Sequence, residues 1–288
     1  MSQVTGDTDV VRSGDTDVVP AGEHSGQALV WNHILAITDS LALKCAVKLR
    51  IFDIIGGHGH PAISLSDLAA SLPTPCLHPA TLLRLLRYLS HMRLIDSHAA
   101  GDEPSFSLTP SSSLFLVGTS TQSLASFITV FLDEGFLGAM HALDVACAGG
   151  GDDEASAFEM VNGETVFGRA ERDVELNKIF NEGMAGSGRI TAAAMVEGAP
   201  AAFEGLGTVV DVGGGVGTVA REIRRGFPAI RCVVFDLAQV VEGLEAADGV
   251  EYVAGDMFVS VPRADAFLLM WTFFGVEMRG VDGMHACS

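Results

Sequence analysis

The chain has 288 residues, of which 48% are hydrophobic and 18% charged, the balance of a globular protein with room for two ordinary domains. Its formal charge of −19 at pH 7 repels phosphate backbones and anionic lipid surfaces. Nucleic acid and membranes are therefore not expected as the main partner unless a local basic patch overrides this average, and a neutral or cationic small ligand is favoured.

The cysteines and the apolar segments indicate a cellular compartment. The five cysteines are odd in number and never form a C-x-x-C pair, which disfavours a disulfide framework and a zinc site. No histidine lies near acidic residues at ligand spacing, so we expect no metal. No apolar run reaches the ~20 residues of a membrane span, and no basic stretch leads into one at the N-terminus. We expect a soluble cytoplasmic protein.

The first residues carry a short tandem duplication rich in aspartate, at 6–11 and 14–19. One copy is too short to be a structural repeat unit. The spacing of a calcium-binding loop, with its distal glutamate, is absent. We therefore expect residues 1–26 to form an acidic disordered tail.

Residues 27–118 show helical periodicity followed by short strand-like segments. One apolar helix face is predicted from residues at three- and four-residue spacing: Leu41, Ala42, Cys45, Ala46 and Leu49. Ser64 or Ser66 is a candidate helix N-cap. The spacing then predicts an amphipathic helix over 81–95, and residues 94–95 and 106–108 are predicted strands of a hairpin.

Three helices and a small hairpin form a winged-helix arrangement, which suggests two roles. The arginines of the 81–95 helix, Arg84, Arg87 and Arg93, are available for phosphate contacts in DNA binding. However, these arginines are few and the charge around them is strongly negative. A dimerisation or packing role is therefore favoured for this region.

Residues 119–205 are predicted to be mostly helical, interrupted by a glycine-rich and acidic loop at 148–154. Phe180, Met184 and Met195 fall on predicted helices in this stretch. Two interpretations remain open for them: ordinary core packing, or the lining of a site for an aromatic substrate.

A glycine-rich turn follows a β-branched strand at 208–212. Gly213, Gly215 and Gly217 lie in this turn, which opens into a predicted helix at 218–225. Such turns allow backbone amides to approach a ligand at the carboxyl end of a parallel sheet. The next predicted strand, 231–235, ends at Asp236, and an acidic residue there is placed to accept hydrogen bonds from ribose hydroxyls.

The glycine turn alone fits two cofactors. Residues 215–220 satisfy the dinucleotide pattern G-x-G-x-x-A, which permits a nicotinamide cofactor. Two details favour S-adenosylmethionine instead. Asp211 precedes Gly213 to give D-x-G-x-G-x-G, and Asp256 and Met257 follow the third predicted strand. A carboxylate and a thioether there suit the amino group and the face of an adenine ring.

These motifs, in this order, resemble plant O-methyltransferases of the caffeate, flavonoid and acetylserotonin type. The likeness runs from about residue 27 to 274 and includes, besides the glycine loop, LALKC at 41–45, SLTP at 107–110, FNEGM at 180–184, FDL at 235–237 and GDMF at 255–258. The resemblance implies an α/β protein with a helical winged-helix dimerisation domain over 27–118 and a Rossmann-like methyltransferase domain over 119–274.

The resemblance also implies ligands and partners. It places the S-adenosylmethionine contacts within and around the glycine loop: Asp211, Gly213, Gly215, Asp236, Asp256 and Met257. Phe180 and Met184 are then expected in a pocket for a small phenolic acceptor. A homodimer, or a heterodimer with a relative, is the expected assembly.

One position departs from the family. The resemblance implies a histidine base in a stretch reading Leu-Leu-Lys-Trp-x-x-His-Asp-Trp, but Phe274 stands at the histidine and Met270 at the lysine. A phenyl ring cannot take a proton, so we expect no catalytic residue and impaired transfer. His285 is a weak substitute. Residues 275–288 resemble no stretch of the family, so we expect an unrelated tail and a methyltransferase domain with only four strands. The alternative function is that of a catalytically silent cofactor-binding or dimerisation partner of an intact relative.

Overall fold

The structure is a computed structural model. It describes residues 21–75, 78–100, 103–117, 122–149 and 155–270. Phe274, the expected tail at 275–288 and residues 1–20 lie outside the described residues. The chain divides into two units, residues 1–40 and 41–288. In the first unit the structure describes the beginning of one long helix, which starts at Ala21, within the segment expected to be a tail.

The first half of the chain contains helices and a small antiparallel sheet. Its elements in chain order are α1 Ala21–Lys48, α2 Ile51–Gly57, β1 Ile63–Ser64, α3 Leu65–Ser71, α4 Pro79–His91, β2 Ile95–Ala100 and β3 Glu103–Leu108. The three strands pair antiparallel in the order β1-β3-β2. The predicted hairpin is confirmed, and both of its strands are longer than the apolar residues alone indicated.

Local sequence signals set most of these boundaries. The Ser64 side chain accepts a hydrogen bond from the Asp67 N–H and caps α3, as predicted. The 81–95 helix was predicted too long, because α4 ends at His91 and Arg93 adopts a left-handed backbone with φ of 59°. Its predicted apolar face is confirmed by Leu82, Leu86 and Leu89, which are buried.

The predicted apolar face of α1 was partly wrong. Leu41 and Cys45 are exposed, whereas Ala46 and Val47 are buried in a core with α2 and α4. Leu43 packs against the same core. Of the predicted face, Ala46 is therefore correct, whereas tertiary packing leaves Leu41 and Cys45 exposed and buries Val47, which the prediction did not include.

Six helices connect this region to the second sheet. They are α5 Ala125–Phe131, α6 Glu134–His141, α7 Leu143–Cys147, α8 Ala157–Asn162, α9 Val166–Arg172 and α10 Val174–Gly198. The long helix α10 crosses α5 closely at Gly183 and Gly186. A Cβ atom at Gly186 would collide with the Ser123 carbonyl oxygen, so only glycine allows this approach.

The second sheet is parallel and lies in the last third of the chain. Its elements are β4 Thr208–Val212, α11 Thr218–Gly226, β5 Arg231–Asp236, α12 Ala238–Val241, β6 Val250–Ala254 and β7 Ala266–Leu269. The strand order is β6-β5-β4-β7. The chain therefore adds strands on one side of β4 and then crosses to its other side. Ligands of open α/β sheets bind at such a switch point, beyond the carboxyl ends of the strands.

Both faces of this sheet are covered. One face packs Val209, Cys232 and Val234 against α10 and α11, with Ala192 and Ile223 fully buried. The other face buries Val210, Val212, Val233 and Phe235 under the segment between β6 and β7. Burial of both faces explains why the strands read as continuous apolar runs. None of the described helices is long and apolar enough to cross a membrane.

Candidate functional site

The glycine loop between β4 and α11 is closed by backbone hydrogen bonds. The Gly213 N–H donates to the Phe235 carbonyl at 2.8 Å, and the Gly217 N–H donates to the Gly214 carbonyl at 2.9 Å. Gly213, Gly215 and Gly217 have φ of 70°, 57° and 78°, which favours glycine at all three. A Cβ at Gly215 would meet no heavy atom within 4 Å, so this residue faces open space.

Asp211 lies beneath the loop and is almost fully buried, at 3% exposure. Its carboxylate supports the loop closely, since a Cβ at Gly214 would lie 2.7 Å from Oδ2. The pKa of Asp211 is raised to about 7, chiefly by burial; a backbone hydrogen bond from Ala220 partly opposes this rise, and the charge of Asp236 adds to it. The Oδ2 atom has no hydrogen-bond partner among the described residues. The loop therefore rests on a carboxyl group that titrates near neutral pH.

Asp236 joins the end of β5 to the loop. Its Oδ2 accepts a hydrogen bond from the Gly215 N–H at 2.8 Å, and its Oδ1 accepts one from the Leu237 N–H at 2.7 Å. The side chain is half-buried. A carboxylate oxygen has two lone pairs, so this carboxylate retains capacity for hydroxyl donors at the edge of the sheet.

Asp256 and Met257 follow β6 at the same edge. The Gly255 N–H donates to the Asp236 carbonyl at 2.9 Å, which places the two residues beside β5. Asp256 is exposed, and its Oδ1 accepts from the Phe258 N–H at 2.9 Å. Met257 is half-buried against the sheet face that contains Phe235.

The sheet thus brings together all six residues that the sequence predicted for a cofactor site. They are Asp211, Gly213, Gly215, Asp236, Asp256 and Met257, and all lie on or directly after the carboxyl ends of β4, β5 and β6. The carboxylates of Asp236 and Asp256 at this edge favour a ligand that carries positive charge or several hydrogen-bond donors. The described residues contain no group of three or more side chains suited to hold a metal ion.

The two residues predicted to contact the acceptor lie on α10. Phe180 is half-buried and belongs to an aromatic cluster, and Met184 is half-buried one turn further along. The cluster links rings of five helices: Phe127, Phe131, Phe136, Phe158, Phe167 and Phe180. Its centre is Phe131, whose ring centroid lies 4.2 Å from that of Phe127 and 5.0 Å from that of Phe136.

Sequence reasoning missed two sets of residues near these sites. Five of the six cluster phenylalanines were not singled out, although Phe127 and Phe131 stand at helical spacing and gave a usable signal. Arg221 and Tyr252, which contact the Val216 carbonyl of the glycine loop, were also missed. No local pattern marks them, because they are 31 residues apart in sequence.

Comparison with known proteins decides the family. The O-methyltransferase dimerisation domain matches residues 31–118, and the O-methyltransferase domain matches residues 141–280. The (RS)-norcoclaurine 6-O-methyltransferase of Thalictrum flavum subsp. glaucum is 36% identical over 245 residues, which is 85% of this chain and 69% of that one. The chain belongs to the plant O-methyltransferase family.

Other members of this family show the same level of likeness. The tabersonine 16-O-methyltransferase of Catharanthus roseus is 37% identical over 85% of this chain and 69% of its own length. The chavicol O-methyltransferase of Ocimum basilicum is 36% identical over 84% of this chain and 67% of its own length. O-Methyltransferases of this family use S-adenosylmethionine as the methyl donor.

Solved structures confirm the fold. Human N-acetylserotonin methyltransferase in complex with S-adenosylmethionine superposes with a TM-score of 0.64 at 20% identity, covering 87% of this chain and 72% of that one. CalO1, a methyltransferase in calicheamicin biosynthesis bound to S-adenosylhomocysteine, superposes with a TM-score of 0.65 at 24% identity, covering 85% and 70%. A helical dimerisation domain followed by an α/β methyltransferase domain is thus the architecture of this O-methyltransferase.

Proposed function

We propose that this O-methyltransferase binds S-adenosylmethionine at the 213–217 loop and is built for methyl transfer to small phenolic hydroxyl groups. The observation that carries the proposal is the Asp236 carboxylate, held at the carboxyl edge of the sheet by the Gly215 N–H. At the same edge Gly215 faces open space, so the backbone there is accessible to a ligand.

Each residue around the loop has a proposed role toward the cofactor. Asp236 accepts hydrogen bonds from the ribose hydroxyls, and Asp256 and Met257 contact the amino group and the face of the adenine ring. Asp211 and Gly213 support the end of the ligand that carries positive charge. The bound cofactor supplies a methyl group activated on a sulfonium. The protein supplies orientation and counter-charge.

The aromatic cluster supports a phenolic acceptor. Phe180 and Met184 lie on α10, whose Gly188 packs against Val219 of α11, next to the glycine loop. Helix α10 therefore carries both the proposed acceptor contacts and a contact to α11, the helix that begins directly after the glycine loop. Stacked and tilted phenylalanine rings provide flat apolar contacts for an aromatic ring. Relatives named for norcoclaurine, tabersonine and chavicol agree with this class of acceptor.

Phe274 is the reason for proposing that transfer by this chain is impaired. A phenolic hydroxyl is a weak nucleophile until a base within hydrogen-bond reach takes its proton. Phenylalanine stands where the family resemblance places that base. The second candidate function, a catalytically silent cofactor-binding or dimerisation partner of an intact relative, is favoured by this single position. We assign dimerisation to residues 27–118 and cofactor binding to residues 119–274.

Two measurements test these proposals in turn. Calorimetric titration with S-adenosylhomocysteine and, separately, with NAD is expected to give binding of the first and none of the second. NAD binding alone would refute the cofactor site. Transfer of labelled methyl from S-adenosylmethionine to a panel of phenols then separates the two functions. Turnover at the rate of active relatives would refute the impairment.

A further inference from the structure

A small hydrogen-bonded cluster lies behind the glycine loop, on the side of α11 and β6. The Val216 carbonyl accepts a hydrogen bond from Arg221 Nη1 at 2.8 Å and one from the Tyr252 hydroxyl at 3.0 Å. Arg221 Nη1 also donates to the Tyr252 hydroxyl oxygen at 2.9 Å. We call these three groups the Val216 clamp. It joins a loop carbonyl to the side chain of Arg221 on α11 and to that of Tyr252 on β6, which lies two strands away from β4 in the sheet.

The clamp fixes one peptide group of the loop from both ends. The carbonyl of the Val216–Gly217 peptide points to Arg221 and Tyr252, while its N–H donates to the Gly214 carbonyl at 2.9 Å. The Gly214–Gly215 peptide, two peptide groups earlier, is fixed as well, because its carbonyl accepts that bond and its N–H donates to Asp236. Two peptide groups of the loop are therefore oriented by the protein itself.

Tyr252 supports the loop by packing as well as by hydrogen bonding. A Cβ at Gly217 would lie 2.9 Å from the Tyr252 hydroxyl and 2.9 Å from Val234 Cγ2. Gly217 also has φ of 78°, a conformation that side chains rarely adopt. The loop therefore packs closely against the Tyr252 side chain. The charged guanidinium of Arg221 adds a charge-assisted hydrogen bond to the Val216 carbonyl.

We propose that Arg221 and Tyr252 are positioning residues for the cofactor loop. Acting through the Val216 carbonyl, they hold the loop in its binding geometry before the ligand arrives, which lowers the ordering cost of binding. Asp236 holds the opposite side of the loop and itself contacts the ligand. The inference rests on the proposed assignment of the 213–217 loop as the cofactor site.

The test measures S-adenosylhomocysteine affinity by calorimetry in the full chain carrying Tyr252→Phe, Arg221→Met or both. Each single variant leaves one donor on the Val216 carbonyl, so a loss of about threefold is expected, whereas the double variant loses both donors and is expected to bind at least about tenfold more weakly. Arg231→Met is the matched control. Arg231 lies on the same sheet, paired with Glu251 at 2.6 Å, and contacts no part of the loop in the structure described.

A second comparison separates loop positioning from a general effect on folding. Arg221→Lys combined with Tyr252→Phe returns one charged donor to position 221. It is expected to recover most of the affinity that Arg221→Met combined with Tyr252→Phe loses. Tyr252→Phe alone removes one oxygen atom and keeps the ring against Gly217, so it remains informative if the double variant unfolds.

The outcomes distinguish the inference from the site assignment. If Asp236→Ala weakens binding but the folded double variant binds within twofold of the wild-type chain, the clamp is overturned and the site stands. If lysine at position 221 recovers nothing, the charged donor does not position the loop, and the clamp is overturned. If neither Asp236→Ala nor the clamp variants change affinity, the site assignment falls and the clamp falls with it.

Discussion

Replacing Asp236 with alanine tests the cofactor site most directly. The substitution removes two hydrogen bonds seen in the structure, from the Gly215 N–H at 2.8 Å and the Leu237 N–H at 2.7 Å, together with those proposed to ribose. Hydrogen bonds to charged groups contribute about 1.5–3 kcal/mol. We expect S-adenosylhomocysteine to bind more weakly by that amount, roughly 10- to 150-fold.

The assay is calorimetric titration, with folding of each variant verified by thermal melting. Glu242→Ala is the matched control, because Glu242 is an exposed carboxylate at the end of α12 and its loss changes the net charge equally. The control is expected to bind as the wild-type chain does. Unchanged affinity in folded Asp236→Ala would refute the ribose assignment. Equal losses of affinity in Asp236→Ala and Glu242→Ala would show that the change in net charge, and not a contact of Asp236, causes the loss.

Three further predictions concern pH, catalysis and assembly. The pKa of Asp211 is about 7 in the folded protein, compared with the ordinary aspartate value of 3.8, so the folded protein holds this proton more tightly than the unfolded chain does. The resulting stabilisation is complete below about pH 4 and is lost as the pH rises through 7. Asp211→Asn should therefore raise the melting temperature relative to wild type more at pH 8 than at pH 5.5; an equal change at both would contradict the assigned titration. The chain should transfer methyl groups at least about 100-fold more slowly than active relatives, because Phe274 cannot accept a proton. Phe274→His alone should not restore the rate, since Gly275 and Val276 follow this position where the family resemblance implies Asp-Trp beside the histidine; full recovery of labelled-methyl transfer would contradict this. Finally, the 27–118 region should make the chain a dimer, and sedimentation that shows only monomer at micromolar concentration would count against it.

The amino-acid sequence determined the elements whose signals are local. The Ser64 cap, the apolar face of α4 and the β-branched strand before the glycine loop each depend on residues within one or two turns of each other, and all three are confirmed. The order of motifs along the chain was also sufficient to indicate the family. Asp236 and Asp211 were identified because their spacing from the glycines is fixed by the strand–turn–helix unit.

Tertiary structure decided what depends on contacts between distant segments. The sequence alone did not show which residues of α1 are buried, because Leu41 and Val47 are both apolar and only the packing of α2 and α4 distinguishes them. It did not show that Tyr252 and Arg221 meet at the Val216 carbonyl, since no periodicity relates a residue of β6 to a residue of α11. Nor did it show that Asp211 titrates near pH 7, because desolvation is set by the atoms packed around the carboxylate, and those come from the folded loop.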